Sequence, residues 1–552
     1  MENISMYEEI RKSAEGFPRG LAVYYQGTKI SFAKLIKLID RTADIFVNRL
    51  GIKPGDIVMV SQPNIPEVLI IFYALNKIGA IANLVHPFTP FNQIRSIMKK
   101  THVKVAFMFE QRIAKEVDKY RELADKIYVT RIEDFLPLGK KFVYHCFMNN
   151  AIRRKLGRWR GQFKGFKYFY QLKPTGQKVE PYQGDNSKTS VLLHSGSTTG
   201  DPKTICLSNN SFNFIADRAC EFLACKPEFI RGKGMLSVLP SFHGFGLCMT
   251  MHTPLSNQFA CLLMPKFTVD ELIKVMNKAP VTCICGVPTM YEKMLESEKF
   301  VNHRHLKDIH VVFCGGDTLP LPLKKKFDDM MAAHGSYCKM FEGYGLTEAI
   351  AVNCVNTYDH NKEKSIGYPM SGSTFRIVDE QDNEVPRGKV GEITINSPAM
   401  MVGYFEDEEN TKKSIKNNFL YTGDLGYMDE DGYIYFSQRK KRVVKVSGVG
   451  VFPTEVERLI ETIPGVTSCC AIQIPDSKLQ HALKVFVVAK YFDEEGMRNQ
   501  IIDTCRKYLI RWSVPKEIEF RKELPLTLLG KVDFKQLQKE EDEKRGINNE
   551  NK

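Results

Sequence analysis

"KTSVLLHSGSTTGDPKT", residues 188–204, joins a β-rich apolar run to a loop of Gly, Ser and Thr closed by Pro202-Lys203. The change of texture at His194 is that of a buried strand leaving a sheet and opening into a ligand loop. Downstream, "GMLSVLP" (234–240), "FACLLMP" (259–265), "VTCICGV" (281–287) and "HVVFCGG" (310–316) read as further buried strands. Helix-like segments such as "TVDELIKVMNKA" (268–279) and "LKKKFDDMMAAHG" (323–335) lie between them. This alternation predicts an α/β fold with a parallel, doubly wound sheet. Such sheets bind ligands beyond the carboxyl ends of their strands. The polar and glycine-rich pieces fall there: "SGSTTG", "SFHGFG", "VPTMY" and "GGDT".

The N-terminal part alternates in the same way. "SFAKLIKLIDRTADIFVNRLG" (31–51) predicts an amphipathic helix ending at Gly51, and "DIVMVSQPN" (56–64) a strand. "IPEVLIIFYALNKIGAI" (65–81) predicts a helix running into a strand. After Arg439 the texture changes. "TEVERLIETIPG" reads as a helix with Thr454 at or near its cap, "VTSCCAIQIP" and "ALKVFVVAKYF" as strands, and "EEGMRNQIIDTCRKYLIRW" as a helix. The expectation is a large domain over 1–438 and a small α+β domain over 439–552, joined at "SQRKKR" (437–442).

A chain of 552 residues with 43% apolar residues is long enough for more than one core. No apolar run reaches the ~20 residues of a membrane span. The N-terminus, "MENISMYEEIRKSAEG", lacks the apolar region of a signal peptide. The 14 cysteines show no CxxC pair; Cys283/Cys285 and Cys469/Cys470 sit in strand-like runs, which predicts buried free thiols in a reducing cytoplasm. The net charge of +14 is compatible with a nucleic acid, a membrane surface or an acidic substrate. Much of the excess lies between Arg153 and Lys178, with nine Lys/Arg and no acid.

The loop at 195–203 fails the nucleotide P-loop pattern, since Asp201 stands where the second glycine is needed. A polar surface turn and a pyrophosphate cradle both fit it, the second through backbone N–H groups, hydroxyls and Lys203. Three other segments bear on the choice. "EGYGLTEA" (342–349) puts Thr347 and Glu348 at a turn. "YTGDLGYMDEDGYIYFSQRKKR" (421–442) puts Asp424 in a turn before a hairpin. "PLTLLGKVD" (525–533) carries Lys531 after Gly530.

In this order the segments resemble the AMP-forming adenylate synthetase superfamily, which includes acyl-CoA synthetases, peptide-synthetase adenylation domains and firefly luciferase. The resemblance runs from residue 31 to "GKVDFKQL" near the C-terminus. It implies that a carboxylate attacks the α-phosphate of ATP to give acyl-AMP, and that a thiol then takes the acyl group. Ser195, Gly196, Ser197, Thr198, Thr199, Gly200 and Lys203 match the phosphate loop. Glu348 matches the Mg²⁺ ligand and Thr347 the contact to the AMP phosphate. Gly316 and Asp317 match the stretch beside adenine, and Tyr344 the aromatic flanking it. Asp424 and Arg439 match the ribose contacts. Lys531 matches the lysine bridging acyl oxygen and α-phosphate. Lys441 matches the hinge, and Lys445 to Gly448 the loop that replaces Lys531 for thiol transfer. The sequence departs from the common pattern at Ser197, Asp317, Gln438 and Arg442, without loss of a charged catalytic group.

"LPSFHGFGL" (239–247) has Phe242-His243 where amino-acid-activating members carry Phe-Asp. His243 matches the mouth of the acyl pocket, and Gly244, Gly246, Gly286 and Gly315 would leave room in it. The resemblance therefore implies a fatty or other unsubstituted acid, with ATP, Mg²⁺ and coenzyme A, or a carrier-protein phosphopantetheine in place of coenzyme A. No nucleic-acid partner is expected. In 151–170, Ile152, Leu156, Trp159, Phe163, Phe166 and Tyr170 share one helical face among basic residues. Peripheral contact with an anionic inner membrane surface and packing on the large domain are both compatible with that face.

Overall fold

The computed structural model describes residues 3–144, 166–194, 203–317, 319–446, 449–476, 479–490, 493–527 and 531–546. Two α/β sheets form most of the large domain. The first runs Tyr368–Pro369, Cys354–Val355, Lys339–Tyr344, Val311–Cys314, Val281–Gly286, Gly234–Ser237, Ala260–Leu263, Leu21–Tyr25, Thr28–Ser31. Its strands from Lys339–Tyr344 through Leu21–Tyr25 are mutually parallel. The second runs Gly403–Tyr404, Thr204–Ser208, Thr189–His194, Ile81–Leu84, Ile57–Ser61, Val105–Phe109, Ile127–Thr130, Lys167–Tyr168. Parallel pairing extends from Thr189–His194 to Lys167–Tyr168.

The strand Thr189–His194 thus leaves the group of five read as one sheet. It pairs with Ile81–Leu84 and, antiparallel, with Thr204–Ser208. Strand texture specifies burial on both faces, and either sheet supplies that. One core joins the two sheets, containing Val58 and Leu84 of the second and Leu262 and Val312 of the first. The helix Pro66–Lys77 is buried at all twelve positions, as expected of a helix apolar on every side, and Pro66 starts it.

A third, antiparallel sheet is built from Thr374–Val378, Gly391–Asn396, Phe419–Met428 and Ile434–Arg439, with Ile415–Lys416 at its edge. Asp424 lies inside the long strand Phe419–Met428, not in a turn before it. Gly423, at φ +71°, lets the strand continue through "TGD".

The small domain has its own cores. Val466–Asp476 and Gln480–Ala489 pair antiparallel, and Glu517–Phe520 adds in parallel. The helices Pro453–Ile460, Glu494–Tyr508 and Phe534–Lys544 and the hairpin Val444–Val446/Val449–Val451 complete it. Thr454 is the second residue of its helix, with Pro453 at its start and Phe452 at the cap position. Lys484, 4% exposed in its side chain, lies 2.7 Å from both Glu519 and Glu541, which fastens the helix Phe534–Lys544 to the sheet.

The described end of the basic stretch is not α-helical. Lys167–Tyr168 is a strand and Phe169–Gln171 a 3-10 turn, while Phe166 packs into the core of the second sheet. Edge pairing to Ile127–Thr130 overrides the helical spacing there. Residues 151–165 lie outside the described residues. The 13 described cysteines are free and none is exposed, in accord with their reading as thiols.

Candidate active site

The carboxyl ends of the first sheet's strands place the predicted groups side by side. The loop after Gly234–Ser237 carries His243, and the loop after Val311–Cys314 carries Gly315, Gly316 and Asp317. The end of Lys339–Tyr344 leads through Gly345 into the short 3-10 turn Thr347–Ala349, which holds Thr347 and Glu348. A cavity of about 60 Å³ opens among these loops, lined at its mouth by His243, Gly315, Gly316 and Tyr344.

Asn64, buried after the strand Ile57–Ser61, fixes the His243 loop. Its Nδ2 donates to the carbonyls of Ser237 (3.1 Å) and Leu239 (2.8 Å), and its Oδ1 accepts from the Ser241 amide (3.1 Å). The helix Phe245–His252 that follows is π-helical, a geometry often found at functional sites. Gly244 and Gly246 serve this close packing and do not widen the pocket. A Cβ on Gly244 would lie 1.7 Å from the Ile350 carbonyl oxygen, and one on Gly246 2.1 Å from that of Pro240. A Cβ on Gly286 would meet the Tyr291 hydroxyl at 2.8 Å; of the four glycines expected to line the pocket, Gly315 does so. Ile350 has φ +57°, an uncommon conformation for a β-branched residue. It directly follows the Thr347–Ala349 turn, so the acyl-pocket loop and the Glu348 turn touch through it.

The third sheet supplies the second cluster. Register pairs Asp424 with Arg439, and the Arg439 Nε lies 2.8 Å from Asp424 Oδ1. The Tyr344 hydroxyl donates to Asp424 Oδ2 at 2.6 Å. Asp424 is 1% exposed. Burial pushes its carboxyl up from the ordinary range, and Arg439 and Tyr344 pull it back. The Oδ1 contact with Arg439 is an ion pair without hydrogen-bond alignment, so this buried oxygen keeps acceptor capacity of the kind a ribose hydroxyl would fill.

Glu348 and Lys203 meet through Tyr404. The Tyr404 hydroxyl donates to Glu348 Oε1 at 3.1 Å, and the Lys203 ammonium stands 4.3 Å from the centre of the Tyr404 ring. The pairing of Gly403–Tyr404 with Thr204–Ser208 brings them together. No group of three metal-ligating side chains occurs among the described residues. Mg²⁺ held by one carboxylate and phosphate oxygens needs no such group, and Glu348 fits that role. Just before the loop, His194 Nε2 donates to Asn83 Oδ1 at 2.7 Å, and burial holds this imidazole down at about 4, hence neutral near pH 7. Ser195, Gly196, Ser197, Thr198, Thr199 and Gly200 lie outside the described residues, as does Gly448.

Lys531 comes from the small domain. Its carbonyl accepts from the Thr527 amide at 2.7 Å, its amide donates to Thr527 Oγ1 at 3.2 Å, and Leu526 bridges Val532. As a residue it keeps solvent exposure, and burial lowers its pKa. The carboxylates of Asp317 and Asp424 act to raise that pKa and Arg439 to lower it. The His243 imidazole is pushed down to about 4, first by burial and then by the charge of Lys531. The charges of Asp317, Asp424 and Arg439 thus act on Lys531, and that of Lys531 acts on His243. Lys445 is not there. It is exposed on the hairpin Val444–Val446/Val449–Val451, and its carbonyl accepts from His481 at 3.2 Å.

The ion pairs at the joint were not foreseen from sequence. Lys440 pairs with Glu392 of the third sheet at 2.8 Å. Arg442 pairs with Glu457 of the small domain at 2.6 Å, donates to the Ala471 carbonyl at 3.1 Å and stacks 4.6 Å from the Phe534 ring centre. Lys441 stands between these two allegiances in the turn Lys440–Arg442. Glu342, at the end of the first sheet, is pushed up to about 7 by burial, and the guanidinium of Arg458 from the small domain opposes that shift. Nothing in the sequence sets Glu342, Glu392 and Glu457 apart from other acids. For Asn64 the sign in the sequence is an amide closing the strand-like run "DIVMVSQPN".

The model of the AMP-binding enzyme family matches residues 10–405, and that of the AMP-binding enzyme C-terminal domain matches residues 455–531. A long-chain-fatty-acid–CoA ligase of Bacillus subtilis (strain 168) is 28% identical over 550 residues, covering 99% of this chain and 96% of that protein. Among solved structures, ATP-bound MatB from Rhodopseudomonas palustris superimposes with a TM-score of 0.81 at 22% identity, covering 98% of this chain and 99% of that one. The anthranilate CoA ligase AuaEII in complex with anthranoyl-AMP gives 0.80 at 20% identity, covering 98% and 97%. With the family models spanning most of its length, the chain belongs to the AMP-binding enzyme family of the adenylate-forming superfamily.

Proposed function

We propose that the protein is an AMP-forming acid–CoA ligase. In the first half-reaction a carboxylate oxygen of the acid attacks the α-phosphorus of ATP, the bond to the β-phosphate breaks, and pyrophosphate leaves. In the second, the sulfur of coenzyme A attacks the acyl carbon and AMP leaves. The observation that supports this reading is the buried Asp424 carboxylate, paired with Arg439 and held by the hydroxyl of Tyr344, a residue that lines one cavity together with His243.

Each group then has a task. Asp424 and Arg439 accept and brace the ribose, and Tyr344 orients Asp424 and flanks adenine beside Gly316 and Asp317. Thr347 contacts the α-phosphate. Lys203, with residues 195–200, takes the β- and γ-phosphates. Glu348, oriented by Tyr404, would hold Mg²⁺, which supplies positive charge for the phosphates when bound. Lys531 neutralises charge that builds between acyl oxygen and α-phosphate, so its contribution belongs to the transition state. His243, neutral at pH 7, borders the acid without adding a charge.

For the second half-reaction the small domain, 439–552, would turn about Lys441 and bring Lys445–Gly448 to the site in place of Lys531. The opposed pairs Lys440–Glu392 and Arg442–Glu457 support a pivot between them. The name of the Bacillus subtilis relative favours a fatty acid as substrate and coenzyme A as acceptor. Peripheral membrane contact through 151–170 has no support from residues 166–170, which pair with and pack on the second sheet.

An acid panel assayed for pyrophosphate release tests the proposal. Release that requires acid, ATP and Mg²⁺ but no thiol is expected; acid-dependent ADP overturns it. Repeating the assay with free coenzyme A and with a holo carrier protein identifies the acceptor, and thioester formed on the carrier protein alone would replace coenzyme A in this account.

A further inference from the structure

Among the described cysteines, Cys220 and Cys225 alone are half-buried; the other 11 are buried. These two stand together. The helix Ala219–Phe222 is capped by Leu223, and the chain turns back through Ala224, whose φ is +46°. The Cys225 amide donates to the Cys220 carbonyl at 3.1 Å, and the Ala224 amide to the Glu221 carbonyl at 3.1 Å. Those two bonds define a Schellman turn, in which the residue after the left-handed position commonly packs on the one five before it. Glycine is the usual left-handed residue, so alanine holds this turn at some cost.

In this chain the two side chains so paired are thiols. The 3.1 Å bond between Cys225 and Cys220 limits their Cα atoms to about 7 Å apart, the range within which two cysteines can be bridged. Their sulfurs share a hydrogen bond, with the Cys225 thiol donating and the Cys220 sulfur accepting. Burial raises both thiols, Cys225 to about 12, whereas the shared bond lowers Cys220 and raises Cys225 further. Cys220 is therefore the sulfur nearer to the reactive thiolate.

We propose that Cys220 and Cys225 form an oxidisable dithiol, closed by hydrogen peroxide to an intramolecular disulfide and reopened by thiols. The Cys220 sulfur attacks one peroxide oxygen, the O–O bond breaks, and a sulfenic acid and water result. The Cys225 sulfur then attacks the Cys220 sulfur. The S–S bond forms, the S–O bond breaks, and a second water leaves with the Cys225 proton. Two electrons pass from the thiols to the peroxide. Both thiols are protonated at pH 7, so closure is slow, and the half-exposed bridge is open to thiol exchange.

The test incubates the native full chain with excess hydrogen peroxide, blocks the remaining thiols, digests with trypsin and reads peptide masses. Both cysteines fall on the peptide 219–231, because Pro227 protects the bond after Lys226, and it holds no other cysteine. This peptide should lose two hydrogens and escape the block before any peptide with a described buried cysteine changes. Dithiothreitol should restore it. In Cys225→Ser, dimedone should trap Cys220 as a sulfenic acid; in Cys220→Ser, Cys225 should stay reduced over the same interval. An unchanged peptide, over-oxidation of either thiol without closure, or a bridge from Cys225 to its buried neighbour Cys283 would overturn the inference. So would oxidation of Cys225 in Cys220→Ser as fast as that of Cys220 in Cys225→Ser. The readout is mass, so none of these outcomes bears on the ligase reading.

Discussion

The two sides of the cleft are built differently. On the large-domain side, Asp424 is set by strand register against Arg439, held by the Tyr344 hydroxyl and buried to 1%. On the small-domain side, Lys531 is hydrogen-bonded to Thr527, on a domain with separate hydrophobic cores. On the proposed ligase reading, binding geometry would be fixed within one sheet, whereas the charge used in the chemistry would be delivered from outside it. A fixed cradle suits a nucleotide that stays through both half-reactions. A delivered lysine suits a group needed in only one.

Breaking the delivered side should have the largest effect. Lys531→Ala should slow acyl-AMP formation by about 10²–10³-fold, the usual cost of removing one transition-state donor, with the KM for ATP nearly unchanged. Stopped-turnover measurement of acyl-AMP checks this. Breaking the fixed side should show in binding as well. Asp424→Asn removes the charge paired with Arg439 and weakens the ribose acceptor, lowering kcat/KM for ATP by about 10–100-fold. ATP saturation curves measure it.

The joint sharpens the comparison. Arg442 and Glu457 are 16% and 12% exposed in their side chains, so Arg442→Gln should destabilise the small domain by roughly 2–3 kcal/mol. Lys440 is 48% exposed, and Lys440→Gln should cost less than about 1 kcal/mol in the same denaturant titration. A pH dependence is expected as well. Burial raises Glu342 from 4.5 to about 7, so the native state holds a proton that the unfolded chain has released. The sign follows: Glu342 lowers stability progressively as pH rises from about 4.5 to about 7, with no further loss above that. The difference in melting temperature between Glu342→Gln and wild type should therefore grow in favour of the variant over this window.

Local texture carried the strands and the large helices, because buried strands alternate legibly with amphipathic segments; the charged site residues were assigned only through the family resemblance. Partnership between distant segments was not legible. Thr189–His194 had the texture of a buried strand whichever sheet it joined. Asp424 follows a glycine, which marks a turn in most contexts but here lets one strand run on. Gly244 and Gly246 read as open space, while the structure fills that space with the carbonyls of Ile350 and Pro240. Tyr404, Glu392 and Glu457 acquire meaning only from what stands opposite them. The stripe ending in Phe166 and Tyr170 shows the same limit, since an edge strand can use residues spaced as a helix would space them.

The most direct test is to measure the two half-reactions separately on Lys441→Pro. Proline's φ near −65° suits the 3-10 turn in which residue 441 stands and resists a large change. Acid-dependent pyrophosphate release should stay close to wild type, while thioester formation from supplied acyl-AMP and coenzyme A should be lost. Equal impairment of both half-reactions, or thioester formation at the wild-type rate, would contradict a fixed cradle served by a domain that turns.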